Sequence, residues 1–202
     1  MDREFVCNEP HEIKLISTLR YEVYFNWWRL DPLFTLRMIL HGWHPNSPLS
    51  HPDLTKRAFF SYLVSDSYLT QFQSRLNAYE SFWWPIGMMR PFINTKNVIQ
   101  QITGWSTGER ILVLAGGGDN LMRVPIMKKL AASYRAAFTQ LVGEKKLEAV
   151  DDEVQKIAGR LRLDDSGHGV RFTVIPLAGH HMQNDVQWED GARRLLDFYN
   201  QV

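Results

Sequence analysis

Two residues of complementary chemistry, Asp119 and His180, each follow a stretch that reads as a β-strand. The first stretch, Ile111-Leu112-Val113-Leu114-Ala115, is a continuous apolar run closed by Gly116-Gly117-Gly118, the pattern of a strand covered on both faces. The second, Val170-Arg171-Phe172-Thr173-Val174-Ile175, leads through Pro176-Leu177-Ala178-Gly179 into His180. Open parallel sheets bind ligands outside the carboxyl ends of their strands, so neighbouring strands would present this acid and this imidazole on one edge. A carboxylate beside a histidine orients the ring and stabilises its protonated form, as a general base requires. Taken singly, Asp119 also reads as a turn or helix-capping residue and His180 as an ordinary loop histidine. The pair at matched positions says more than either alone.

The elements that must position them alternate. A helix is expected from about Val124 to Leu141, a charged helical stretch from about Lys145 to Leu161, and a final helix from Trp188 to Tyr199 with Ala192, Leu195, Leu196 and Tyr199 on one face. A β-α-β-α order implies parallel strands with a right-handed crossover. A two-stranded parallel sheet leaves an unpaired apolar edge, so cover is expected from self-association, a partner that completes the sheet, or the rest of a larger protein.

The first half is different. Of 25 aromatic residues, 18 lie in residues 1–100, and no segment there reads as a good strand. Asp31-Pro32 is an N-cap followed by proline, ahead of Leu33, Leu36, Met38, Ile39 and Leu40, with Gly42 as a stop. Ser50-His51-Pro52 opens a second helix to about Val64, and Asp66 or Ser67 a third to about Tyr79. The expected organisation is a tail over 1–20, a helical subdomain over 21–103 and an α/β half over 104–202. The clusters Trp27-Trp28, Phe59-Phe60 and Phe82-Trp83-Trp84 fill the core of those helices, line a pocket for a bulky apolar ligand, or do both, since a lid must pack and also face its cavity. On the second reading Trp27, Trp28, Phe59, Phe60, Trp83 and Trp84 contact substrate.

Gly116-Gly117-Gly118-Asp119-Asn120-Leu121-Met122 resembles the acid-bearing segment of the α/β-hydrolase superfamily, and Ala178-Gly179-His180-His181-Met182-Gln183-Asn184-Asp185 resembles its histidine segment. The closest likeness is to capped members of fungal type, whose histidine segment runs into a stretch like Trp188-Glu189-Asp190-Gly191-Ala192. The resemblance covers roughly residues 20–202. It implies a partial α/β-hydrolase fold, with a short parallel sheet, flanking helices and an α-helical cap. It also implies acid and base roles for Asp119 and His180, with His181 the weaker candidate because the family's histidine follows the glycine directly. The family's first half carries a serine on a strand-turn-helix elbow, G-x-S-x-G, and nothing before Tyr21 has room for it. Gly104-Trp105-Ser106-Thr107-Gly108 matches the letters, but a helix-like Asn97-Val98-Ile99-Gln100 precedes it and a strand follows, which is the wrong context. Cys7 lies in an unpatterned tail and makes a poor nucleophile.

Other chemistry is weaker. His41, His44 and His51 straddle a helix stop without a partner carboxylate, so no metal is expected. The triple glycine lacks both G-x-G-x-x-G spacing and a P-loop lysine, so no nucleotide cofactor is expected. The run from Gly143 to Arg162 mixes charge signs and reads as a solvated face. Across 202 residues, 45% are apolar and 22% charged, an ordinary globular composition. A net charge of +1 supplies no field for nucleic acid or an anionic membrane. No stretch reaches 18 apolar residues, and Met1-Asp2-Arg3-Glu4 is too charged to open a signal peptide. With Cys7 as the sole cysteine there is no internal disulfide, and the expectation is a soluble cytoplasmic protein acting on a hydrophobic small molecule.

Overall fold

The computed structural model describes residues 21–33, 36, 39, 40, 51–76, 94–147 and 164–201. Every described strand lies after residue 103, and the described part of the first half is helical. Helix α1 covers 21–30 and ends where the Asp31 amide donates to Trp27 O at 2.9 Å. Helix α2 is Pro52–Phe59, opened by a proline in its first turn. Helix α3, Asp66–Gln73, starts at Ser65, whose hydroxyl accepts the Tyr68 amide. Both stop short of the ends expected from sequence. At the end of α2, Phe60 is extended (φ −123°, ψ 161°) because the chain just beyond is pinned elsewhere, as shown below. The expected helix from Lys145 to Leu161 lies outside the described residues apart from 145–147, which form a turn.

Helix α4, Thr95–Gln101, is capped by Asn94 and followed by a 3₁₀ turn at Trp105–Thr107. Strand β1 (Ile111–Gly116), helix α5 (Val124–Gly143), strand β2 (Asp164–Gly167), strand β3 (Val170–Ile175) and helix α6 (Trp188–Tyr199) complete the fold. β1 and β3 are parallel and in register, with Ile111 opposite Val170 and Gly116 opposite Ile175. The sheet nevertheless has three strands in the order β1-β3-β2, with β2 antiparallel to β3, which corrects the expected two-stranded parallel sheet. The two-residue connection His168-Gly169 has φ of +50° and +73°, the left-handed pair that closes a tight hairpin. Polar β2 covers one edge of β3, and among the described residues no strand pairs with the outer edge of β1.

The core lies between the sheet and α5, where Val113, Ala115, Val170 and Phe172 pack on Ala131. A second cluster joins Ile99 and Trp105 to Ala137, Phe138 and Leu141. Helix α6 packs through Gly191 and Phe198, whose ring lies under the Arg171 guanidinium at 5.4 Å. The stripe singled out from sequence, Ala192, Leu195, Leu196 and Tyr199, instead faces solvent. Among the described residues no helix is long and apolar enough to cross a membrane.

Candidate active site

Because β1 and β3 end level, their following loops leave the sheet side by side. Their backbones touch: Gly117 N–H donates to Ile175 O at 2.8 Å and Gly118 N–H to Ala178 O at 2.9 Å. A Cβ on Gly116 would stand 2.4 Å from Ala178 O, so only glycine permits this approach. Asp119 and His180, 61 residues apart in sequence, meet across the seam with Nδ1 of His180 2.9 Å from Oδ2 of Asp119.

The turn-forming and histidine-holding readings of Asp119 both hold. Its Oδ1 accepts the amides of Leu121 and Met122, each at 2.8 Å, as an Asx turn does, which leaves Oδ2 for His180. The carboxylate side chain is 6% exposed and the imidazole 35%. A carboxylate only accepts, so the Nδ1 facing Asp119 is the donor, and in the neutral ring Nε2 is then the acceptor. Among the described residues nothing hydrogen-bonds that Nε2.

His181 has a different environment. Its ring packs against Phe60 and Phe72, and its Nδ1 accepts from the Asn184 amide nitrogen at 2.8 Å. Burial, and then the neighbouring charge of His180, hold its pKa below the ordinary histidine value. Its place is in the packing, not at the seam.

The helical half meets both loops. Asn26 of α1 donates to Leu121 O at 2.9 Å and Asn120 donates to Arg57 O of α2 at 2.7 Å, fixing the acid loop. On the histidine side, His181 N–H donates to Phe59 O at 2.7 Å. A Cβ on Gly179 would stand 2.5 Å from the Phe60 carbonyl carbon, so the end of α2 lies directly on the residue before His180. Asp185, which nothing in the sequence reading singled out, is 2% exposed and bridges these segments. Its only sequence signal was an acidic residue in a short polar loop.

Of the six aromatic residues expected to contact substrate, one touches the dyad and a second packs on that one. Phe59 stands edge-on to His180 with centroids 5.7 Å apart, and Trp27 packs on Phe59 at 5.9 Å. Phe60 is 3% exposed in a cluster with Val64 and Leu69, where it fills the core of the helical half. Trp28 stacks on Phe25 and is 58% exposed. Trp83 and Trp84 lie outside the described residues, as do Cys7, His41 and His44. Ser106 sits in the 3₁₀ turn ahead of β1, whereas the dyad follows the far end of that strand. Six strand residues at about 3.3 Å each separate the two ends by about 20 Å, so Ser106 is not a partner of His180. An apolar groove lined by Val98, Leu112, Leu114, Met127, Leu130 and Tyr134 runs beside β1; neither dyad residue lines it. Comparison with family models, curated proteins and solved structures returned no match.

Proposed function

We propose that this chain is an α/β-hydrolase-like protein that performs acid/base chemistry on a hydrophobic small molecule, as a tailoring enzyme of secondary metabolism in the cytoplasm. One observation carries the reading: the Asp119–His180 hydrogen bond at 2.9 Å, which among the described residues leaves Nε2 without a hydrogen-bond partner, on a ring flanked by Phe59, itself packed on Trp27. His180 Nε2 takes a proton from an acidic C–H or O–H of the substrate, and Asp119 stabilises the imidazolium that forms. Returning that proton at another atom completes a cyclisation, condensation, elimination or isomerisation without a serine acyl intermediate. The helices of residues 21–103 act as the cap, and the reaction draws on no cofactor or metal.

The test compares the purified chain with His180→Ala on cyclisable polyketides and lipophilic esters, together with a fluorophosphonate probe for activated serines. Turnover lost in His180→Ala with no probe labelling supports the reading. Full turnover in that variant, or labelling abolished by Ser106→Ala, sinks it. The outer edge of β1, which no strand among the described residues pairs with, favours a second reading, ester hydrolysis in which another polypeptide supplies the nucleophile. Labelling that appears only in a larger assembly would select it. No turnover on any substrate would favour a non-catalytic ligand-binding protein.

A further inference from the structure

We infer that Asp185 is a positioning residue for His180, clasping the end of α2 to the histidine loop so that the dyad forms only when the helical half is docked. The inference rests on the acid/base reading of His180 and extends it. Oδ2 of Asp185 accepts the Ser61 amide at 2.6 Å and the Gly179 amide at 2.9 Å. Oδ1 accepts the Ser61 hydroxyl and the Val186 amide, each at 2.6 Å. Among the described residues no lysine or arginine pairs with this carboxylate, so these four bonds are what offset its removal from water.

Their placement gives the carboxylate its role. Gly179 directly precedes His180, and Ser61 lies two residues after Phe59, whose ring flanks His180 and whose carbonyl holds the His181 amide. The backbone on both sides of His180 is thus tied to one turn of chain, 124 residues earlier than Asp185. With no side chain on Gly179 to act as a spacer, movement at Phe60 passes directly to the histidine backbone. Without Asp185 the loop is released on that side, the bond from His180 Nδ1 to Asp119 is made intermittently, and the ring no longer keeps one tautomer.

The experiment reads the tautomer directly, in the full chain labelled with ¹⁵N-histidine and held at about pH 8, where histidine is neutral. Wild type shows His180 as the Nδ1–H form alone. Asp119→Asn tests the underlying reading: a wild-type His180 without that form, or one indifferent to Asp119→Asn, sinks the dyad itself. If Asp119 matters, Asp185→Ala is expected to lose the single form and give an averaged signal, with Asp185→Asn between the two. Slow amide exchange at Val113 and Phe172 shows that the sheet is intact. An unaltered His180 signal in folded Asp185→Ala overturns the inference alone. Should that variant not fold, Ser61→Ala, which removes one of the four bonds, decides: the same change at smaller size supports the inference, and no change overturns it.

Discussion

The Phe59 ring stands 5.7 Å from the His180 imidazole at an interplanar angle of 64°, so one flank of that ring is covered by a side chain from the other half of the protein. Phe59 is half-buried and also carries Trp27. Phe59→Ala is expected to cost about 2 kcal/mol of stability, roughly half the cost at a fully buried site. It should raise KM for an apolar substrate more than it lowers kcat. Denaturant unfolding and steady-state kinetics give both numbers; an unchanged KM would remove Phe59 from the binding surface.

Asp119→Asn keeps the shape of the turn, since its side-chain oxygen can still accept from Leu121 and Met122. Facing His180 it now presents an amide, which favours the opposite tautomer. Turnover should fall by about 10²–10⁴-fold with little change in unfolding free energy. A loss of stability as large as the loss of rate would mark Asp119 as a turn residue only.

His181 makes stability depend on pH. Its pKa is lowered in the folded protein by burial and by His180, whereas an unfolded chain takes up the proton at about 6.5. Below that value the unfolded state binds more protons, so unfolding free energy falls as pH drops through 6.5 toward the lower folded pKa, and is unaffected well above it. Urea unfolding from pH 8 to 5.5 should show a shallower decline in His181→Gln than in wild type. Equal declines would refute the assignment.

Arg171 and Glu109 form a buried ion pair at 2.8 Å, with side chains 10% and 6% exposed. Glu109 also accepts the Gly167 amide at 3.0 Å, and Arg171 reaches Gln201 at 2.6 Å. Arg171→Met strands a buried carboxylate and should cost about 3–5 kcal/mol. Adding Glu109→Gln should restore much of that, because the amide oxygen still serves Gly167. A single-variant cost under about 1 kcal/mol in thermal or chemical unfolding would show the pair to be solvated.

The outward stripe of α6 leaves Leu195 58%, Leu196 57% and Tyr199 72% exposed. Contiguous apolar surface of this kind drives association. Sedimentation should show species above monomer mass at tens of micromolar, and Leu195→Glu with Leu196→Glu should shift them toward monomer at little cost to folding. A wild-type chain that stays monomeric would discount the stripe as an interface.

The sequence by itself determined β1 and β3, because uninterrupted apolar runs closed by glycine or proline leave few alternatives, and with them the positions of Asp119 and His180 just beyond two strand ends. It also determined α5, whose periodic apolar positions find the sheet. Only the tertiary structure decided the rest. Strand β2, Asp-Asp-Ser-Gly, has no strand composition and is recruited by the left-handed turn at His168 and Gly169. Helix α2 ends at Phe59 because Asp185 fixes the amide and hydroxyl of Ser61. Periodicity showed which residues of α6 share a face, but the close approach of Met182 to Gly191 and of Arg171 to Phe198 chose which face is buried. Spacing and turn chemistry are local properties and can be read along the chain; hydrogen bonds between residues more than a hundred positions apart exist only once the chain has closed on itself.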